Sequence, residues 1–124
     1  MSGNGQMKLL IVDDSNVVRR SIQRMIGNPN YDVRTAANGV EALTLFNEFD
    51  PDVVTMDITM PEMDGLSCVD AMLRKKPRAR ILVISALADK ATAVEAVKRG
   101  ALGFLLKPFS SESLTNEIAE LFED

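Results

Sequence analysis

A chain of 124 residues, 46% hydrophobic and 26% charged, has room for one domain around one core. The net charge of −4 argues against nucleic acid as a direct partner, since phosphate binding needs a basic face. Cys68 is the only cysteine, which excludes an intrachain disulfide, and the absence of any His excludes imidazole bases, imidazole metal ligands and a phosphohistidine carried by this chain.

From the amino terminus, residues 1–6 are polar and lack the apolar region of a signal peptide, so they read as a short flexible tail before a domain spanning 7–124. No apolar run approaches the roughly 20 residues that span a bilayer. No membrane partner is expected, and the default location is the cytoplasm. Lys8 to Val12 is an apolar run that stops at Asp13-Asp14 and predicts a central strand. Ser15 can cap a helix in which Val18, Ile22, Met25 and Ile26 recur at helical spacing, and Gly27, Asn28 and Pro29 terminate it. Tyr31 to Ala36 alternates as a more exposed strand would, which predicts an edge. Asn38 followed by Glu41 resembles a capping box ahead of a helix lined by Ala42, Leu45, Phe46 and Phe49.

Val53 to Met56, between Pro51 and a turn containing Pro61 and Gly65, predicts a buried strand with Asp57 at its carboxyl end. Leu66, Val69, Met72 and Leu73 predict the next helix, closed by Lys75, Lys76 and Pro77. Arg80 to Ile84 predicts a fourth strand, followed by Ser85. Lys90 to Arg99 predicts a helix carrying Val94 and Val97, and Gly100 ends it. Leu102 to Leu106 predicts a fifth strand, ending at Lys107-Pro108. Ser110 or Ser111 caps a last helix whose Leu114, Ile118 and Leu121 face inward. Five alternating strand-helix units imply a doubly wound α/β fold, a parallel sheet with helices on both faces. No output domain is expected after the fifth helix.

In such a sheet the strand ends point one way, so Asp13, Asp14, Asp57, Ser85 and Lys107 would converge on one rim. Each has a blander reading: the acidic pair as a helix cap, Asp57 and Ser85 as turn residues, Lys107 as a solvated surface side chain. Their common placement at strand ends argues against capping chance. Three carboxylates at close range repel unless a cation neutralises them, and a hard divalent ion, magnesium above all, suits oxygen ligands shared with a phosphoryl group. A carboxylate can also act as nucleophile and form an aspartyl-phosphate, with Lys107, Ser85 and the metal balancing the phosphoryl charge. Asp57, on the middle strand, is best placed for that role.

Four segments carry a resemblance: Val12-Asp13-Asp14-Ser15, the run from Met56-Asp57 through Thr59, Met60-Pro61-Glu62-Met63-Asp64 to Gly65, Ile84-Ser85-Ala86, and Lys107-Pro108-Phe109. Over about residues 7 to 122 the chain resembles the receiver domain of two-component response regulators, in particular the stand-alone CheY-like members. The resemblance implies a flavodoxin-like strand order 2-1-3-4-5. It implies that Asp57 accepts phosphate from the phosphohistidine of a sensor histidine kinase. It implies Mg2+ held at Asp57 by Asp14 directly, Asp13 through water and the backbone carbonyl of Thr59. Lys107 would pair with the phosphoryl oxygens, its bond to Pro108 would be cis, and Ser85 would move to bond the phosphate. Phe104 takes the place of the aromatic switch residue, without the hydroxyl that a Tyr would bring. Thr59 and Leu87 stand where side chains tune hydrolysis.

The leading function is then a phosphorylation-controlled binding module. It would present its α4-β5-α5 face to a target protein, chemotaxis-type signalling and a flagellar motor switch being candidates, and catalyse only its own phosphorylation and autodephosphorylation. A phosphorelay intermediate that passes the phosphate to a His phosphotransfer protein shares every active-site residue. A Mg2+-dependent phosphatase of external substrates lacks an obvious pocket, and DNA binding lacks a basic recognition helix.

Overall fold

The computed structural model describes residues 7–27, 31–58, 65–86 and 90–122. The predicted tail lies outside them. Five strands, β1 (Met7–Val12), β2 (Tyr31–Ala36), β3 (Val53–Asp57), β4 (Arg80–Ser85) and β5 (Gly103–Leu106), alternate with five helices, α1 (Asn16–Ile26), α2 (Gly39–Phe49), α3 (Gly65–Lys75), α4 (Lys90–Lys98) and α5 (Ser111–Glu120). The strands form one parallel sheet in the order β2-β1-β3-β4-β5, so the expected flavodoxin-like order holds and β2 is an edge.

The alternation of side chains along each strand divides the core in two. Leu10, Val12, Val54, Met56, Ile81 and Val83 face one way and pack with Ala42 and Phe46 of α2, Cys68, Val69 and Met72 of α3, and Ala96 of α4. Leu9, Ile11, Val53, Leu82 and Ile84 face the other way and pack with Ile22 of α1 and with Leu114 and Ile118 of α5, beside Leu121. The three central strands, β1, β3 and β4, are covered on both faces, which is why their sequences are continuous apolar runs.

The helix starts follow local chemistry. Ser15 Oγ accepts the Val18 N–H at 3.2 Å, Asn38 Oδ1 accepts that of Glu41 at 2.9 Å, and Ser110, rather than Ser111, caps α5 by accepting from Ser113. The box at α2 differs in one bond, for the Glu41 carboxylate reaches past the cap to the Ala37 N–H. On α4 the two valines point outward, Val94 at 45% and Val97 at 58% exposure, and small Ala96 is the buried contact.

Thr55 is the exception within this core. It sits mid-strand on β3, buried, and its hydroxyl has no hydrogen-bond partner among the described residues. A buried hydroxyl without a partner costs about 1–3 kcal/mol, and Val keeps the β-branched shape. Thr55→Val is therefore expected to raise stability by about 1 kcal/mol, read as a higher urea midpoint at unchanged slope. A lower midpoint would show that the hydroxyl is satisfied in solution.

Candidate functional site

In the order β2-β1-β3-β4-β5, the direction of winding reverses between β1 and β3. Outside the carboxyl ends of such a pair lies a crevice where open parallel sheets bind ligands, a rule for which flavodoxin-like sheets are themselves an example. β1 ends there on Asp13 and Asp14, and β3 ends there on Asp57, which is its last residue. One carboxylate oxygen from each of the three lies within 4.8 Å of the others. Asp13 and Asp57 are each 1% exposed, whereas Asp14 is exposed, so the cluster opens to solvent on one side.

Each group is held from a different element. Asp13 Oδ1 accepts the Ser15 N–H at 2.9 Å, so the residue that caps α1 also fixes the acidic turn. Lys107, just past β5, donates Nζ to Asp13 Oδ2 at 2.8 Å and stands 3.7 Å from Asp57 Oδ2. Its own N–H donates to the Ser85 carbonyl at 2.8 Å, tying the end of β5 to the end of β4. The Lys107-Pro108 peptide is cis, as the resemblance implied. Ser85 is fully buried as the last residue of β4, one position past Ile84, which stands opposite Asp57 in the sheet.

Burial pushes the Asp13 carboxyl above its ordinary value. The Lys107 ammonium and the Ser15 N–H pull it back down, and the neighbouring Asp57 charge pushes it up again. A buried carboxylate facing two others, with one ammonium among them, is a donor set that a further cation would complete. All donors are hard oxygens with an open, solvent-facing side, which suits a divalent ion that keeps part of its water.

Asp13, Asp14, Asp57, Ser85 and Lys107 are thus all brought to one rim. Thr59, Leu87 and the run from Met60 to Asp64 lie outside the described residues. Phe104 is half-buried on β5 and packs against the core layer beneath α2, α3 and α4. Two contacts were not read from the sequence. Arg19, in the first turns of α1, donates Nη1 to the Asp13 carbonyl at 2.6 Å and so pins the backbone that carries the acidic pair. Gly65, read only as a turn residue, brings the start of α3 so close to β3 that a Cβ there would stand 2.5 Å from the Asp57 carbonyl oxygen. A charged residue four past a capping Ser was the visible signal for the first; the second had none beyond the glycine itself. An apolar pocket of about 440 Å³, lined in part by Val17, Val18, Met25, Pro108 and Phe109, opens beside Lys107.

Residues 9–119 match the family model of the response regulator receiver domain. The chemotaxis protein CheY of Listeria monocytogenes is 41% identical over 107 residues, covering 86% of this chain and 90% of that protein. The CheY of Thermotoga maritima is 43% identical over 103 residues, covering 82% and 86%. Among solved structures, the complex of CheX, CheY, BeF3 and Mg2+ from Borrelia burgdorferi superimposes with a TM-score of 0.88 at 30% identity, over 95% of this chain and 90% of that one.

Proposed function

The chain belongs to the response regulator receiver family, a CheY-like receiver domain, and on that premise we propose that Asp57 accepts a phosphoryl group from a sensor histidine kinase and so switches a binding surface. The observation that carries the reading is the cluster of Asp13, Asp14 and Asp57 within 4.8 Å, bridged by the Lys107 ammonium. A carboxylate oxygen of Asp57 would attack phosphorus as the bond from phosphorus to the donor imidazole nitrogen breaks, and the electron pair leaves with that nitrogen. Lys107 sits where it can leave Asp13 for a phosphoryl oxygen. Ser85 can donate its hydroxyl to another. Mg2+, held by Asp13, Asp14, Asp57 and the Thr59 carbonyl, would neutralise phosphoryl charge that one ammonium cannot balance alone.

Asp14 is the solvent-facing member and the proposed direct ligand. Asp14→Ala is expected to weaken Mg2+ binding by at least about tenfold, since losing even an outer-shell partner of a metal costs that much, and to slow phosphorylation. Calorimetry showing unchanged affinity would remove Asp14 from the ligand set.

The proposed output runs from Ser85 to Phe104. A Ser85 hydroxyl bonded to the phosphoryl group would draw the end of β4 toward the site, and the half-buried Phe104 ring would turn further inward, biasing an existing equilibrium. The face of α4, β5 and α5 then presents itself to a target protein, in chemotaxis-type signalling as the CheY relatives suggest. The test is the NMR environment of the Phe104 ring with and without beryllofluoride, in the parent and in Ser85→Ala. A parent ring that is the same in both states would sink this route to the surface. Return of phosphate from the labelled chain to a His phosphotransfer domain would favour a relay instead.

A further inference from the structure

β5 is an edge strand paired only to β4, and α5 lies against it. Between them runs a groove of about 570 Å³, floored by Phe104, Leu105 and Leu106, closed at one end by Pro108 and Phe109, and walled by Ser113, Asn116, Glu117 and Glu120. Leu106 is 42% exposed, so the floor offers apolar area to a partner.

The wall is acidic in a particular way. The half-buried Glu117 lies over the start of β5, with Oε1 3.4 Å from where a Cβ on Gly103 would stand. Glu120 is its neighbour one turn on, so two acidic side chains stand side by side on the wall. Among the described residues neither has an ion-pair partner, whereas Arg99 pairs with Asp70 and Glu95, Lys76 with Asp50, and Lys107 with Asp13. Burial and the adjacent Glu120 charge both push the Glu117 carboxyl up, so its ionised form is held at a cost that an incoming cation would relieve.

We infer that the groove between β5 and α5 takes a basic, amphipathic segment of the target protein, its apolar side chains on Phe104 and Leu106 and a Lys or Arg between Glu117 and Glu120. This deepens the proposed function by naming the chemistry of the partner, and it rests on that reading only for the claim that phosphorylation controls the surface. An acidic target segment would meet like charge at the rim, which lowers its rate of association and leaves both carboxylates uncompensated.

The probes are two synthetic amphipathic peptides with the same leucine face, one carrying lysine and the other glutamate on its polar face. Each is titrated into the full chain, with and without beryllofluoride, with NMR shifts followed at Phe104, Leu106, Glu117 and Glu120. The lysine peptide is expected to bind at these residues at least about tenfold more tightly than the glutamate peptide, with affinity falling as salt rises. The double variant Glu117→Gln with Glu120→Gln, which keeps side-chain shape and removes the charge, is expected to lose most of that preference, while Glu48→Gln on α2 keeps it. Equal or tighter binding of the glutamate peptide, shifts that map elsewhere, or an unchanged preference in the double variant would overturn the inference. A lysine preference that is the same with and without beryllofluoride would support the inference and count against phosphorylation control of this face.

Discussion

Asp57→Asn is expected to abolish stable phosphorylation, whether the donor is a phosphohistidine or acetyl phosphate, while the fold is retained. The amide is nearly the size of the carboxylate, and at the end of β3 it would meet the same neighbours, Lys107 at 3.7 Å among them. What it lacks is the anionic oxygen that must form the new bond to phosphorus. Losing the nucleophile of such a site costs on the order of 10⁴-fold or more, so labelling should fall below detection in an assay where the parent labels fully. The substitutions Asp13→Asn and Asp14→Asn should behave differently, with slowed labelling and weaker Mg2+ binding, because in the proposed scheme those residues balance charge and do not receive the group. The readout is acid-labile, alkali-labile label on the intact chain at matched donor and Mg2+ concentrations. Label on the Asp57→Asn variant equal to that of the parent would move the acceptor to another carboxylate, and Asp13 and Asp14 would be the first to examine.

Much of the site was legible because each strand announces its own end. β1, β3 and β4 are buried on both faces, so their sequences are largely apolar, Thr55 being the buried exception, and the polar side chains at their carboxyl ends, Asp13, Asp57 and Ser85, mark the rim. Lys107 is marked in the same way by Leu105-Leu106 before it. The order of the strands was a different matter. Alternation of strands and helices requires a parallel sheet, but 2-1-3-4-5 came from the resemblance, since nothing in local periodicity says which strands are neighbours. Apolar pattern also misleads on α4. Val94 and Val97 look like core residues at helical spacing, yet they are exposed and Ala96 is the contact, because a helix lying close to the sheet turns its small residues inward. Arg19 and Gly65 act through main-chain atoms of Asp13 and Asp57. The position of Arg19 four past the capping Ser15 hints at the first contact, whereas the second depends on where two backbones pass, a distance that no spacing in the sequence encodes. The hydroxyl of Thr55 was invisible for the opposite reason, since a β-branched residue in a strand reads as well-placed whether or not its oxygen finds a partner.

Gly65→Ala is expected to do more damage than its single added methyl suggests, and to do it in two measurements at once. A Cβ at position 65 would stand 2.5 Å from the Asp57 carbonyl oxygen, 2.5 Å from the Ile58 Cα and 2.8 Å from the Ile58 Cγ2. Two of those atoms are backbone, which cannot swing aside as a side chain can, so the first turn of α3 has to back away from β3. Cys68, Val69 and Met72 follow on the same helix and are fully buried against the sheet, so the retreat opens packing along its length. Overpacking of this kind costs typically about 1–3 kcal/mol, and contact with backbone places this case at about 3. The same retreat acts on the proposed acceptor, because the atom it relieves is the carbonyl of Asp57. A misplacement of about 1 Å in a reacting group can cost on the order of a hundredfold in rate, so phosphorylation under conditions where the variant is fully folded should be slowed by a similar factor. Gly103→Ala is the control: its Cβ would meet only side-chain ends, Leu82 Cδ1 at 3.0 Å, Glu117 Oε1 at 3.4 Å and Leu121 Cδ2 at 3.5 Å, so its cost should stay below about 1 kcal/mol and labelling of Asp57 should be unchanged. Urea unfolding and single-turnover labelling on the two variants make the comparison. If Gly65→Ala unfolds at the parent's midpoint and labels at the parent's rate, then α3 can be displaced freely at its start, and the close approach of Gly65 to Asp57 is not what holds the acceptor in place.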